Sequence, residues 1–183
     1  KDCDLVIEAV FETRDVKAGV TAKAAAALPA NAVFGSNTST LPITGLAEAW
    51  AKAGRSPETF IGVHFFSPVD RMQLVEIIRG KQTNDATLAV AMDYVKRIRK
   101  TPIVVNDSRG FYTSRVFSTY TGEGMRMLAE GIAPALIENA GKMTGMPMPP
   151  LALSDEVALD LIHKVQTQTA KDLGAAYKPT GIE

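Results

Sequence analysis

Gly62-Val63-His64-Phe65-Phe66-Ser67-Pro68-Val69-Asp70-Arg71-Met72-Gln73-Leu74-Val75-Glu76-Ile77-Ile78 holds two apolar, strand-forming segments around a polar turn. Val63, Phe65 and Phe66 flank His64, and Leu74, Val75, Ile77 and Ile78 flank Glu76. Two short strands joined through Ser67-Pro68-Val69-Asp70-Arg71 would bring the His64 and Glu76 side chains together. A buried carboxylate bonded to one imidazole nitrogen fixes the ring tautomer. It also raises the basicity of the other nitrogen, which can then act as a general base near neutral pH. A structural His–Glu pair has the same signature, as does a pair that never meets.

Upstream, Leu5-Val6-Ile7 reads as a buried strand ending in Glu8-Ala9-Val10-Phe11-Glu12. Thr13 to Leu28 is an alanine-rich helical stretch stopped by Pro29-Ala30-Asn31, and Ala32-Val33-Phe34-Gly35 is a second buried strand. It opens into Ser36-Asn37-Thr38-Ser39-Thr40, short polar residues whose hydroxyls and amides can bond a ligand. The same run predicts a helix cap, with Ser39 or Thr40 at the head of a segment starting at Leu41-Pro42. Leu46 to Ala53 is helical and contains Trp50, and Phe60-Ile61-Gly62-Val63 is a third strand leading to His64.

Downstream, Asp85 to Arg99 has an amphipathic period, and Pro102-Ile103-Val104-Val105 reads as a strand. Strands and helices alternate to this point, the pattern of an α/β layered sheet. After Asn106-Asp107-Ser108-Arg109-Gly110 the pattern becomes helical. Helices are expected over Phe111–Glu130, with Phe117, Tyr120, Met125 and Leu128 on the apolar side, over Ala133–Met143 and over Asp155–Leu173. Gly145–Pro150 and Lys178–Gly181 read as loops. These patterns divide the chain into an α/β domain, 1–106, and a helical domain, 107–183.

The chain has 183 residues, 46% of them hydrophobic, enough for a core. Twenty basic residues balance twenty acidic ones, so no whole-chain field favours nucleic acid or an anionic membrane. Cys3 is the only cysteine, which excludes an intramolecular disulfide framework and fits a reducing compartment. No apolar run approaches the roughly 18–20 residues of a membrane span. One cysteine and two distant histidines, His64 and His163, give no metal-ligand spacing, and no metal is expected. His163 reads as a packed or solvated helix residue. Met125, Met127, Met143, Met146 and Met148 read as core filler or as an acyl-chain surface.

Four stretches together resemble the 3-hydroxyacyl-CoA dehydrogenase family: Asp4–Glu12, Ser36-Asn37-Thr38-Ser39, Gly62–Pro68 with Leu74-Val75-Glu76, and Asp107-Ser108-Arg109-Gly110-Phe111. His64-Phe65-Phe66-Ser67-Pro68-Val69-Asp70, Gly110-Phe111-Tyr112-Thr113-Ser114-Arg115 and Leu153-Ser154-Asp155-Glu156-Val157 look closest to the multifunctional fatty-acid oxidation α subunits, which carry an enoyl-CoA hydratase region upstream. The resemblance implies the C-terminal portion of a Rossmann-like NAD-binding domain followed by part of a helical dehydrogenase domain. It implies NAD-linked oxidation of an L-3-hydroxyacyl-CoA to the 3-ketoacyl-CoA in fatty acid β-oxidation. His64 then matches the base, Glu76 its carboxylate partner, and Ser39 the serine that bonds the reacting oxygen. Glu12, Lys17, Ser39 and Ser67 match cofactor-side positions. Ser39, Ser114 and Lys17 match substrate-side positions, and the lysine could meet a CoA phosphate.

The resemblance also implies acyl-CoA as substrate, and a thiolase β subunit and a second copy of the chain as candidate partners. It points to the bacterial cytoplasm, or to the mitochondrial matrix in a eukaryote. Monofunctional relatives carry asparagine at Ser67 and Ser114 and a proline at Arg109. A hydroxyl replaces only one end of an asparagine's hydrogen bonding. The family's Gly-x-Gly-x-x-Gly turn, and the acidic residue about 20 positions beyond it, do not occur in these residues. The chain reads as starting at the fourth strand of that domain and is expected, alone, to bind NAD poorly. Two other readings stay open: a relative acting on 3-hydroxybutyryl-CoA or a hydroxy acid without CoA, and a non-catalytic dimerisation or docking fragment.

Overall fold

The computed structural model describes residues 3–157 and 159–177. They fall into two compact units, Lys1–Ser114 and Arg115–Glu183. The loop expected at Lys178–Gly181 lies outside the described residues.

The first unit is a five-stranded sheet of β1 (Leu5–Glu8), β2 (Val33–Ser36), β3 (Phe60–Phe65), β4 (Leu74–Arg79) and β5 (Thr101–Asn106), in that spatial order. β1, β2 and β3 run parallel, β3 and β4 pair antiparallel, and β4 and β5 are parallel again. The parallel pairs are bridged by α1 (Arg14–Ala27), α2 (Ile43–Lys52) and α3 (Asp85–Arg97). β2 and most of β3 and β4 are buried, which explains their near-continuous apolar sequence.

Strand alternation sorts the core into two layers. Phe34, Phe60 and Ile78 face Leu41, Ile43, Leu46 and Trp50, with Phe111 in the same layer. Val33, Ile61, Val63, Val75 and Ile77 face Ala91 and Val95 of α3. Gly62 permits the close approach of α2. A Cβ there would lie 2.8 Å from both Ile43 Cδ1 and Ile78 Cβ. The buried residues of α1 (Lys17, Thr21, Ala25) and of α3 (Thr87, Ala91, Val95) repeat every fourth position, one stripe per helix. Asn84 caps α3 by accepting from the Thr87 amide at 2.8 Å. Arg55 donates to the carbonyls of Ala25, Leu28 and Pro29 at the end of α1, and lies 5.3 Å from the centroid of the Trp50 ring.

The start of α2 differs from expectation. The helix opens at Ile43, and neither Ser39 nor Thr40 caps it. The orphan amides of Ile43 and Thr44 donate instead to Asp107, each at 2.8 Å, and the Thr44 hydroxyl joins them. A carboxylate 64 residues away supplies the cap that local spacing assigned to the Ser/Thr run.

The second unit holds α4 (Thr113–Ala129, whose first two residues belong to the first unit), α5 (Pro134–Met143), α6 (Pro150–Val157) and α7 (Leu159–Leu173). The helix expected from Asp155 begins at Pro150 instead. Proline suits the first helical position because its missing amide hydrogen has no partner there. The Glu138 carboxylate accepts from the next two amides, Leu151 at 2.9 Å and Ala152 at 3.3 Å. Pro150 is wedged against Gly124 and Gly141, where an added Cβ would lie 2.5 Å from the proline ring. The buried side of α4 therefore runs through Thr121 and Gly124, not through Leu128, which is exposed. Met143 and Met146 are exposed too, so the core-filler reading fails for these two. His163 is solvated.

Candidate active site

His64 and Glu76 face each other across the antiparallel β3–β4 pair, in direct register. Alternation puts both on the face that carries Phe60 and Ile78. His64 Nδ1 lies 2.7 Å from Glu76 Oε2, with His64 4% and Glu76 0% exposed. The Phe66 and Phe111 rings flank the imidazole, with centroids 4.5 and 6.1 Å away.

Glu76 is held from a second direction. Its Oε1 accepts from the amides of Tyr112 (3.1 Å) and Thr113 (2.8 Å), and its Oε2 from the Thr113 hydroxyl (2.7 Å). These amides belong to the turn that starts α4, so the carboxylate also serves orphan donors of that helix. Phe111 makes the turn possible. Its φ of 47° lies in the left-handed region, and its buried ring secures it there. Burial by itself raises the Glu76 carboxyl. The hydrogen bond from His64, the Thr113 amide and hydroxyl, and the charge of His64 outweigh burial, and the net position is below the ordinary carboxylate value. An ionised carboxylate only accepts, so His64 Nδ1 carries a proton, and in the neutral ring it is Nε2 that presents the lone pair.

The Ser/Thr run forms the adjoining wall. Asn37 Oδ1 accepts from the Phe65 amide at 2.8 Å, tying the run to β3 one residue beyond His64. Glu12 Oε1 gathers the rest: the Thr38 hydroxyl at 2.6 Å, the Ser39 amide at 3.0 Å, and the Thr40 amide and hydroxyl at 2.9 and 3.1 Å. For Glu12, too, burial raises the carboxyl. The Thr38 hydroxyl, the Thr40 amide, the Lys17 charge and the Thr40 hydroxyl outweigh it and hold the group below its ordinary value. Ser39 is exposed at the carboxyl ends of the parallel strands, where α/β sheets bind ligands. Its carbonyl accepts from the Ser114 hydroxyl at 3.3 Å.

Lys17 departs from expectation. It is 1% exposed, and its ammonium reaches Glu8 at 3.0 and 3.2 Å, the Val10 carbonyl at 3.3 Å and Glu12 at 3.5 Å. Ser36 donates to the same Glu8 carboxylate. The ammonium is enclosed by acceptors and offers nothing to a CoA phosphate in this structure. Ser67 is exposed and no bond ties it to the His64–Glu76 pair among the described residues. Sequence reasoning missed Asn37, Thr113 and Asp107 as organisers. Asn37 had a signal as part of the polar run after β2, and Asp107 as an acidic residue at the change of pattern. Among the described residues no three His, Cys, Asp or Glu side chains could hold a metal ion.

A buried His–carboxylate pair thus stands beside a hydroxyl-rich loop at the strand ends of a Rossmann-like sheet. Residues 1–108 match the family described as 3-hydroxyacyl-CoA dehydrogenase, NAD binding domain, and residues 110–182 match its C-terminal domain. The chain belongs to the 3-hydroxyacyl-CoA dehydrogenase family. It is 39% identical over 178 residues to the fatty acid oxidation complex subunit alpha of Shewanella amazonensis, an alignment covering 97% of this chain and 25% of that protein. It is 37% identical to the crystal structure of (S)-3-hydroxybutyryl-CoA dehydrogenase PaaH1 from Ralstonia eutropha, with a TM-score of 0.86 over 97% of this chain and 62% of that one. FadB2 of M. tuberculosis superposes with the same TM-score at 30% identity, covering 98% and 62%. The chain thus spans a quarter of the length of the curated relatives it matches.

Proposed function

We propose that these residues carry the proton-transfer half of an NAD-linked oxidation of L-3-hydroxyacyl-CoA, within the full-length protein to which they belong. The observation that carries this reading is the 2.7 Å His64–Glu76 pair, with its tautomer set by an ionised Glu76. NAD, when bound, would supply the acceptor for the hydride that leaves the carbinol carbon. His64 Nε2 takes the hydroxyl proton as the C–O bond becomes a carbonyl, and Glu76 stabilises the imidazolium that results. Ser39 donates to the reacting oxygen, where negative charge develops. In the reverse direction the imidazolium returns the proton to that oxygen.

The cofactor side fits in part. Glu12, the exposed Phe11 (84%), Ser39 and Ser67 stand at the strand ends where a nicotinamide ring would lie. No Gly-x-Gly-x-x-Gly turn for its pyrophosphate occurs in these residues. Lys17 acts behind this surface by holding Glu12. Ser114, bonded to the Ser39 carbonyl, stands on the substrate side. We read the chain as a dinucleotide-binding domain over 1–106 and a helical domain over 107–183, a division supported by the two family matches.

No described helix is long and apolar enough to cross a membrane. The naming of the bacterial relatives as complex subunits supports a cytoplasmic multi-subunit setting, with a thiolase-type β subunit or a second copy of the chain as partner. The test is His64→Ala in the full-length protein, followed by NADH consumption with acetoacetyl-CoA. Turnover should fall by about 10²–10⁴-fold, the typical contribution of a general base. Turnover within a few-fold of wild type would exclude His64 as the base.

A further inference from the structure

Three acceptor bonds besides His64 converge on Glu76. Two are backbone amides at Oε1, which any residue at positions 112 and 113 except proline would supply. The third depends on side-chain chemistry: the Thr113 hydroxyl, 2.7 Å from Oε2, the oxygen that also faces His64 Nδ1 at 2.7 Å. One carboxylate oxygen is thus shared between the ring and one hydroxyl. We propose that Thr113 is a positioning residue of the His64–Glu76 pair, fixing the carboxylate against the ring and setting how strongly His64 holds a proton. This rests on the reading of His64 as the base.

The hydroxyl proton draws on the same lone-pair density that His64 uses. With the hydroxyl in place, Oε2 is satisfied on both sides and the carboxylate plane is pinned at both oxygens. Without it, Oε2 faces only the ring, so its charge concentrates on the imidazolium and strengthens His64 as a base. The same change loosens the plane that keeps Nε2 aimed at the alcohol. No other ionisable group intervenes among the contacts described. Across β5 Glu76 is registered with Ile103, across β3 with His64 itself, and the rings beside His64 are Phe66 and Phe111. His64 is also the charged group among the influences that lower the Glu76 carboxyl.

The experiment uses the full-length protein with Thr113→Val, Thr113→Ala, Thr113→Ser and His64→Ala, and 3-hydroxyacyl-CoA oxidation by NAD across pH. Thr113→Val keeps the shape without the hydroxyl, Thr113→Ala keeps helix propensity if valine impairs folding, and Thr113→Ser restores the donor. In both hydroxyl-free variants the acid limb of kcat/KM should move to higher pH by about half a unit, a fraction of a full charge-assisted hydrogen bond. Their kcat should fall about 3–10-fold, as expected for a partly misaligned base, with KM near wild type. Thr113→Ser should restore both. Unchanged kcat and acid limb in Thr113→Val and Thr113→Ala, with His64→Ala inactive, would overturn the role of Thr113 alone. An active His64→Ala would overturn the base assignment and this inference with it.

Discussion

Glu76→Gln tests the dyad with the least change in volume. The two amides of Tyr112 and Thr113 demand an acceptor at Oε1, so the glutamine oxygen takes that place and its NH2 turns toward His64. An NH2 group donates, so Nδ1 must become the acceptor and Nε2 must carry the ring proton. The nitrogen that faces the alcohol is then already protonated and cannot act as a base. Loss of the carboxylate charge at 2.7 Å adds to this. A hydrogen bond to a charged group contributes about 1.5–3 kcal/mol, and the imidazolium formed in the reaction loses that support. Together these predict a fall in kcat of about 10²–10⁴-fold with little change in KM. Stability at neutral pH should fall by the part that ionised Glu76 contributes, although glutamine still meets the amides, the ring and a rotatable hydroxyl. The pH dependence should change. The folded Glu76 carboxyl lies below its unfolded value, so its contribution is full above that value and is lost as pH falls through the folded one. The glutamine variant should lack that part of the acid-side loss. Stopped-flow or steady-state NADH readings on the full-length protein, with thermal melts between neutral and acid pH, provide both measurements. A kcat within about threefold of wild type, in a protein that melts normally, would refute the tautomer argument.

Glu12→Ala should release the 38–40 loop, because one carboxylate oxygen collects four donors from it. Protection of the Ser39 and Thr40 amides from hydrogen exchange should fall, and in wild type it should fall likewise, relative to the intrinsic rate at each pH, as acid protonates Glu12, whose carboxyl sits below its ordinary value. Asp107→Ala should destabilise the protein by about 1–2 kcal/mol, the loss of an N-cap. Denaturant melts check this, and Asp107→Asn should recover part of the loss because its amide oxygen still accepts.

Much of the α/β half was legible because its strands are apolar runs and its helices repeat every fourth residue. The hairpin around His64 and Glu76 was legible because both segments are short and the turn between them is polar. What local pattern could not reveal were side chains acting over long separations. Asp107 caps α2 and Glu138 caps α6, and neither bond leaves a trace in nearby spacing. Lys17 lies in an alanine-rich helical stretch, and the resemblance puts it on the cofactor and substrate side. Its burial depends on Glu8, which lies at the end of a strand nine residues earlier. Leu128, placed on the apolar side of α4, is exposed for a related reason. Gly124 and Gly141 accept the Pro150 ring where side chains would clash, so small residues mark that contact.

The same logic explains why Glu76 stays charged at 0% exposure. Desolvation of a carboxylate in such a place favours the neutral acid, which could donate to His64 and would leave the ring without a counter-charge. The β3–β4 hairpin alone would supply one donor, His64. The turn at Phe111 supplies three more, two of them amides that the start of α4 leaves unpaired. Helix initiation and the ionisation of Glu76 therefore satisfy each other. A substitution that straightens Phe111 out of its positive φ should cost stability and kcat together, whereas a substitution at Asp107 that spares this turn should cost stability alone.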